Sequence, residues 1–424
     1  MLKYLFFNLF IVSLLLMNLP ATAGNFVNQN KIYDPNIVTV QLYPVGEPLK
    51  DPVIELNSNQ QLQLSFDDLS NQYDSYQYTF IRCTSDWQTS SINKDDYLQG
   101  FFSENITNYQ FSFNTRAGYV HYELVFPSKE MSPKLSGNYL LKVYRNENGQ
   151  QQVVFTRRFF VVNPTVTVHA KESRNMIDLS ENQKQQQITL NCTTPNSFSD
   201  NPQQRFNITI RQNGRWDNAK TDLHPTSVSP NSLFFDYPEG IIFNGGNEPR
   251  FFDMKSYWYL AQNIARITPE TNYYKVWLHT AFPRAGQPYE TYSNIMGREL
   301  ITARKDQNPA TEGDYAIVTF RLKIPEIPSA SVYILGQVTG WNYSDENKML
   351  YNPKTQEYEG KLFLKQGYYE YWYSVVPDGQ TKGTLTRVEG NHWETNNTYT
   401  IYVYYHNRMP EYDRLVGIQT LTAQ

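Results

Sequence analysis

Histidines and neighbouring carboxylates are the residues of this sequence that could carry metal or acid–base chemistry. The histidines lack the i, i+2 or i, i+4 spacing that places two imidazoles on one metal ion. Adjacent acids occur at Asp67–Asp68, Asp95–Asp96 and Asp345–Glu346, but adjacent strand residues point to opposite faces of a sheet. The pattern therefore predicts no metal site, and it predicts no acid–base pair except one assembled by folding, as in a glycosidase. The six histidines are His121, His169, His224, His279, His392 and His406.

Motifs of well-known catalytic and cofactor sites are absent from the sequence. There is no nucleophile elbow, no His-Glu-x-x-His, no glycine-rich dinucleotide or phosphate loop and no EF-hand loop. We therefore expect no enzymatic activity, no catalytic residue, no metal and no cofactor. A glycoside hydrolase with a dispersed acid pair is the enzymatic alternative.

The composition favours β-sheet and limits the partners. The chain has 37 basic and 41 acidic residues and no basic tract, which argues against nucleic acid or anionic lipid as the main partner. It has 33 Tyr and 24 Phe, and aromatic residues suit half-buried pleated surfaces. The chain contains 23 prolines, and several predicted strands have one polar face. Both features favour soluble sandwiches over a membrane barrel.

Alternation of apolar and polar residues with period two recurs along almost the whole chain. A helical period is visible once, at residues 256–267, and it is short. The pattern predicts an all-β fold of three consecutive antiparallel β-sandwich-like domains, with helix limited to short pieces. Examples of the alternation are Leu62, Leu64 and Phe66, then Tyr109, Phe111 and Phe113, then Tyr139, Leu141 and Val143.

Two breaks divide the predicted strands. Proline follows a strand at Asn163–Pro164 and cannot continue a central strand, and residues 306–314 are polar and contain proline and glycine. We therefore expect an N-terminal β domain at 24–163, a middle β domain at 164–308 and a C-terminal β-sandwich at 309–424. Cys83 and Cys192 then fall in different domains, and we expect both to be unpaired and buried.

The first residues predict an export signal. Lys3 precedes an apolar stretch, and Ala21-Thr22-Ala23 offers the small-residue pattern of a signal peptidase site. We expect residues 1–23 to be a cleaved signal peptide and Gly24 to begin the mature chain.

The third segment carries a module-like pattern of glycines and aromatic residues. It contains YILG at 333–336, TGWN at 339–342 and QGYYEYWY at 366–373. These stretches resemble the immunoglobulin-like module of glycogen-binding domains and starch-branching enzymes. The resemblance implies that Trp341, Trp372 and Trp393 stack on sugar rings; the alternative is that these rings belong to the core of the sandwich.

Longer matching stretches extend over all three predicted domains. They include KIYDPNI at 31–37, LSFDDL at 64–69, LSGNYLLKVY at 135–144, NGRWDNA at 213–219, FNGGNE at 243–248 and YDRLVG at 412–417. Through them the chain resembles the plug family of the type IX secretion system.

This resemblance implies a periplasmic plug that closes the periplasmic side of the giant outer-membrane translocon barrel. The protein would lie at the inner face of the outer membrane without spanning it, and the translocon would be its partner. The alternative function is a periplasmic or surface glycan-binding protein that uses the C-terminal domain.

The loop at residues 243–253 is the predicted partner-binding site. Its Asn-Gly-Gly-Asn run must turn sharply, and arginine with flanking aromatics is typical of interface hot spots. An ordinary hairpin turn is the alternative, and the Arg157–Arg158 pair is a weaker candidate. The predicted binding residues are Asn244, Gly245, Gly246, Asn247, Glu248, Arg250, Phe251 and Phe252.

Overall fold

The computed structural model describes residues 26–147, 149–195, 198 and 200–423. The predicted signal peptide, residues 1–23, lies outside the described residues. Of the described residues, 49% lie in strands and 4% in helices, so the predicted all-β class is confirmed. Nearly all strand pairs are antiparallel.

Thirty strands and a few short helical turns make up the described chain. The first twelve strands are β1 (Lys31–Ile32), β2 (Ile37–Pro44), β3 (Val53–Glu55), β4 (Leu62–Asp68), β5 (Gln77–Cys83), β6 (Leu98–Gly100), β7 (Glu104–Asn105), β8 (Asn108–Phe111), β9 (Val120–Phe126), β10 (Met131–Pro133), β11 (Gly137–Glu147) and β12 (Gln150–Val162). The next are β13 (Thr167–Arg174), β14 (Gln185–Thr193), β15 (Phe206–Gln212), β16 (Lys220–Leu223), β17 (Ser227–Ser229), β18 (Ser232–Phe234) and β19 (Ile241–Asn244). They are followed by β20 (Arg250–Asp253), β21 (Ile264–Pro269), β22 (Tyr274–Leu278), β23 (Glu299–Ile301), β24 (Tyr315–Lys323), β25 (Ala330–Leu335), β26 (Lys348–Asn352), β27 (Glu357–Lys365), β28 (Gly367–Pro377), β29 (Thr398–Arg408) and β30 (Glu411–Thr422). The helices are α1 (Lys94–Tyr97), α2 (Pro202–Arg205), α3 (Thr386–Glu389) and a 3-10 turn (Gln337–Thr339).

Residues 26–163, here called the first unit, form a sandwich of two sheets. One sheet has the order β1-β12-β11-β5-β7, with β3 parallel to β12, and the other has the order β2-β4-β9-β8. Leu62, Leu64 and Phe66 alternate along β4 and are all fully buried, because their side of the pleat faces the opposite sheet. Phe80 and Phe126 meet across the core with ring centroids 5.0 Å apart.

A second unit combines residues 164–245 with residues 398–423. Its sheets have the orders β13-β14-β18-β17, with β19 on β14, and β16-β15-β29-β30. Ile208 and Ile210 from β15 share one core with Ile401 and Val403 from β29.

The third unit, residues 250–390, contains the largest sheet. Its order is β20-β28-β25-β26-β27-β24-β22-β21, with β23 on β28, and β22 runs parallel to β24. Val318, Phe320 and Leu322 alternate along β24 into the core of this unit.

These sheets group the chain differently from the predicted segments 164–308 and 309–424, and this corrects the expected domain map. The polar stretch at 306–314 connects strands of the third unit, and the third unit lies between β19 and β29 of the second unit. Pairing of β15 with β29 joins residues almost 200 positions apart, a distance that local breaks in the sequence cannot reveal.

The predicted helix at residues 256–267 is not formed. The segment is irregular up to Ile264, where β21 begins, and Asn263 has a φ of 66°. A residue in the left-handed conformation interrupts a right-handed helix. The apolar side chains of the segment therefore do not share one helical face. Tyr257 packs on Tyr274 with centroids 4.0 Å apart, while Leu260 faces solvent.

Both cysteines are buried and free, in different units. Burial raises the pKa of each thiol to about 12, so both stay protonated and act as small apolar side chains.

Candidate partner-binding surface

The predicted loop is packed inside the protein rather than presented to solvent. A Cβ on Gly245 would lie 1.9 Å from the carbonyl oxygen of His392, so the backbone approach there requires glycine. Asn247 is buried and donates from its amide to the carbonyl of Glu389 at 2.7 Å. Gly246 is also buried, and Asn244 is the exposed residue of the turn.

Glu248 of this loop lies near two further buried carboxylates, Glu370 and Glu389, and the three are here called the acid cluster. All three are fully buried. Glu248 accepts hydrogen bonds from the backbone and side-chain nitrogens of Asn396, at 3.1 and 3.0 Å. Arg250 donates from Nε to Glu389 at 3.0 Å.

Glu389 and Glu370 differ in their partners. Burial alone would raise the pKa of Glu389, but the guanidinium charges of Arg250 and Arg284 outweigh it and lower the pKa. Glu370 meets no arginine; its carboxylate accepts from the backbone N–H groups of Ile295 and Gly297 at 2.9 and 3.0 Å. Burial dominates there and raises the pKa of Glu370 to about 7.

The aromatic residues of the loop are also engaged internally. Phe252 is buried and stacks on Tyr369, with centroids 5.1 Å apart. Phe251 is half-buried and stacks on Tyr368 at 5.7 Å. Of the eight predicted binding residues, Asn244, Arg250 and Phe251 thus keep some access to solvent.

The predicted sugar-stacking tryptophans occupy three different positions. Trp372 is buried and donates from Nε1 to the carbonyl of Asn247 at 2.8 Å. Trp341 is buried against it, with centroids 6.0 Å apart, so both rings take the core role. Trp393 is half-buried, and the guanidinium of Arg174 lies 3.9 Å from its ring centroid.

A buried ion pair joins the first unit to the third unit. Asp67 from β4 accepts from Lys365 Nζ at 2.6 Å and from the Tyr315 hydroxyl at 2.6 Å, and its other oxygen lies 2.5 Å from His121 Nδ1. These four residues are here called the lysine joint. The side chains of Asp67 and Lys365 are each 1% exposed.

The pKa values in the lysine joint follow from burial and charge. Burial would raise the pKa of Asp67, but Lys365 and His121 lower it and keep the carboxylate ionised. Burial would lower the pKa of His121, but the hydrogen bond to Asp67 raises it. Burial lowers the pKa of Lys365 against the attraction of Asp67.

Another joint connects the first unit to the second through aromatic rings. The guanidinium of Arg158 lies 4.2 Å from the ring centroid of Trp87 and 4.7 Å from that of Trp216. Phe160 stacks on Tyr402 with centroids 4.5 Å apart. The Arg158 of the predicted arginine pair is therefore part of a contact between units.

A carboxylate connects all three units. Asp51 of the first unit lies 2.8 Å from an Arg298 nitrogen and 3.4 Å from an Arg211 nitrogen, and these arginines come from the third and second units. Burial would raise the pKa of Asp51, but both guanidiniums lower it far below its usual range. Together the three joints hold the units in one arrangement.

Six of the large apolar side chains that remain exposed belong to segments beside the joint between the first and third units. Trp258 is 83% exposed and is followed by exposed Tyr259 and Leu260. Phe113 is 71% exposed and follows the edge strand β8, which presents Tyr109 and Phe111. These residues are here called the aromatic set: Tyr109, Phe111, Phe113, Trp258, Tyr259 and Leu260.

Asp314 forms hydrogen bonds with residues that lie next to the two parts of the aromatic set in the sequence. Its carboxylate accepts from the backbone of Arg116 at 2.8 Å, and its carbonyl accepts from the Tyr257 hydroxyl at 3.3 Å. The Phe113 backbone N–H donates to the Thr311 carbonyl at 2.9 Å. The set therefore borders a fixed contact between two units, and exposed aromatics in such a group mark an interaction surface.

Sequence reasoning missed this surface for two reasons. Tyr109, Phe111 and Phe113 alternate as in a buried strand, and the sequence does not tell that β8 lies at a sheet edge. The run Trp258-Tyr259-Leu260 did carry a signal, because three consecutive bulky apolar residues fit neither a half-buried strand nor an amphipathic helix.

The described residues contain no group of three or more His, Cys, Asp or Glu side chains placed to hold a metal ion. Within the same part of the chain, no helix is both long and apolar enough to cross a membrane. The fold and its surfaces define a multi-unit all-β protein with an exposed aromatic surface.

Comparison with known proteins identifies the family. Residues 37–163 match the family model described as type 9 secretion system plug protein 1st domain. The first unit therefore belongs to the type 9 secretion system plug protein family. A search of curated proteins finds no match.

A solved structure agrees with the fold over most of the chain. The crystal structure of a hypothetical protein from Parabacteroides merdae is 34% identical, with a TM-score of 0.89, over 94% of this chain and 100% of that chain. The C-terminal domain of the Streptococcus pyogenes antigen I/II-family protein AspA is 6% identical, with a TM-score of 0.15, over 90% and 98% of the two chains, and carries no argument. The immunoglobulin-like resemblance of the third segment stays a prediction.

Proposed function

We propose that this chain is a non-enzymatic periplasmic plug that closes the periplasmic side of the outer-membrane translocon barrel of the type IX secretion system. The match of residues 37–163 to the first domain of plug proteins carries this proposal. The plug lies at the inner face of the outer membrane, and the translocon barrel is its partner.

The joints between units support a stopper. A wide lumen is water-filled, so a protein that closes it has to keep a fixed shape in order to block solutes. Asp67 and Lys365 form a buried ion pair between the first and third units, and breaking such a pair is strongly unfavourable. The cation–π contact of Arg158 and the ion pairs of Asp51 hold the second unit against the others.

The aromatic set is the surface that we assign to the translocon. Aromatic side chains dominate the energy of protein interfaces, and a contact that includes both Phe113 and Trp258 engages the first and third units together. The predicted loop at 243–253 contributes at most through Asn244, Arg250 and Phe251, because its other binding residues are buried.

The test is permeability in cells. A strain that lacks this chain should take up a bulky hydrophilic antibiotic, because a lumen that admits folded cargo also admits such a solute. A strain that lacks both this chain and the translocon barrel should return to normal resistance. The translocon is quantified by immunoblot in the single deletion.

The proposal is overturned if the single deletion leaves resistance unchanged while the barrel is present at its normal level. Equal sensitivity in the single and double deletions also contradicts it, since the leak would then pass elsewhere. Complementation with the intact gene serves as the control for both strains.

A further inference from the structure

A cavity of about 530 Å³ opens on the third unit, beside strand β20. Its apolar walls include Phe251, Phe282 and the floor residue Tyr371. Ligand sites in proteins occupy about 300–1,000 Å³ and combine apolar walls with a few polar groups. Phe282 is 63% exposed, so one aromatic face at the mouth is available to a ligand.

The two arginines of the cavity are already engaged. Arg250 donates to the Glu389 carboxylate at 3.0 Å and to the Phe282 carbonyl at 2.7 Å. Arg284 donates to the same carboxylate at 2.9 Å and to the Glu248 carbonyl at 2.5 Å. Glu389 lies between them, and the buried carboxylate of Glu248 also acts on Tyr292 in the same wall. Two carboxylates thus balance the two guanidinium charges, which stabilise the wall rather than attract an anion.

Three further polar side chains line the cavity. His279 and Gln287 are exposed and Thr280 is half-buried, so their imidazole, amide and hydroxyl groups are accessible to a ligand. Together they offer both donors and acceptors around the cavity. A ligand that suits them has several groups that both donate and accept, together with an apolar face for Phe282.

The geometry disfavours an extended peptide. A peptide that added to β20 would need the backbone groups along this edge. The Asn263 amide donates to the Phe251 carbonyl at 2.8 Å and so occupies one of these groups.

We propose that this cavity binds a short neutral saccharide, with Phe282 stacked on a sugar ring and His279, Thr280 and Gln287 bonded to its hydroxyls. Sugar hydroxyls donate and accept at once, and the C–H face of the ring is apolar. The site is distinct from the three tryptophans considered above, and the inference is independent of the plug function.

The test is isothermal titration of the purified full chain with maltotriose, cellotriose and N,N′-diacetylchitobiose as neutral probes and digalacturonate as an anionic probe. At least one neutral probe should bind, and digalacturonate should bind more weakly. Phe282→Ala and His279→Ala should each weaken that binding by about tenfold, the size expected for one stacked ring or one lost polar contact.

Leu350→Ala is the matched control, because Leu350 is exposed but lies outside the cavity. Its affinity should equal that of the unaltered protein, and circular dichroism verifies the fold of each variant. Three results overturn the proposal: no neutral probe binds at millimolar concentration, digalacturonate binds more tightly, or both cavity variants bind as the control does.

Discussion

Asp67 in the lysine joint and Glu370 in the acid cluster are both fully buried carboxylates, but they meet different partners. Asp67 lies 2.6 Å from the ammonium of Lys365, and its pKa is lowered. Glu370 has backbone N–H groups and the Tyr368 hydroxyl as partners, and its pKa rises to about 7. A full counter-charge thus outweighs burial, whereas a few hydrogen bonds do not.

The two regions contribute to stability in different protonation states. The lysine joint depends on an ion pair that is complete near neutral pH. In the acid cluster, Glu370 stabilises the folded protein most when its carboxyl group is protonated. We therefore expect the two regions to respond differently to substitution and to pH.

The largest effect is expected for Lys365→Met. This change leaves the buried Asp67 carboxylate without its main cation, and loss of one partner of a buried pair costs about 3–5 kcal/mol. Urea unfolding measures the free energy of unfolding of the variant and of the unaltered protein.

Lys361→Met is the matched control on the same strand. Lys361 is 60% exposed and pairs with Glu359 at the surface, where an ion pair contributes about 0–1 kcal/mol. Equal destabilisation by the two changes would show that the lysine joint is not a special contact.

The next largest effect is expected for Glu370→Gln, which should change how the free energy of unfolding depends on pH. The pKa of Glu370 moves from 4.5 to about 7 on folding. Its contribution is therefore complete below about pH 4.5 and is lost as the pH rises to about 7, a change of about 3 kcal/mol. Unfolding at a series of pH values should show this decline in the unaltered protein and a flatter profile in Glu370→Gln.

Glu359→Gln serves as the control for the pH series, because Glu359 is exposed on the surface of the third unit. Its profile should follow that of the unaltered protein. A decline that persists in full in Glu370→Gln would assign the titration to another group.

A smaller effect of the same sign is expected for His121. Its pKa is raised in the folded protein, so its contribution is complete below the ordinary value of 6.5 and is lost as the pH rises above the folded value. His121→Asn should lower stability by about 1–2 kcal/mol at pH 6 and by less at pH 9, since the hydrogen bond to a charged group is then already weakened. A difference that does not change with pH would contradict the raised pKa.

The smallest effect on stability is expected for the aromatic set. Trp258→Ala and Phe113→Ala remove exposed side chains and should change the free energy of unfolding by no more than about 0.5 kcal/mol. Capture of the translocon barrel from detergent extracts should fall by about tenfold or more, since exposed aromatics act as hot spots. Leu350→Ala, which is 70% exposed on another surface, should capture the barrel normally. Normal capture by both aromatic variants would remove the set from the contact.

Many strands could be predicted from the sequence because one of their faces is buried. Leu62, Leu64 and Phe66 alternate and fill the core of the first unit, as the period-two pattern predicts. The match of the first unit to the plug family was also predictable from the longer motifs.

The candidate site was less predictable because it depends on contacts between distant residues. Lys365 and Asp67 are 298 positions apart, and a lone lysine in a strand gives no sign that it will be buried. The loop at 243–253 has the composition of a hot spot, but its Glu248 is enclosed by residues 289, 294 and 396, which follow it by 41, 46 and 148 positions. Composition alone does not distinguish an exposed loop from one that is covered later in the chain.

The position of the third unit between β19 and β29 also determines the order in which the units can fold during synthesis. Strand β15 finds its partner β29 only after the whole third unit has left the ribosome, so the nascent second unit holds an open sheet edge until then. Open edges pair with other chains and promote aggregation. Chains truncated before residue 398 should therefore be captured by chaperones or proteases, whereas truncation after β30 spares folding.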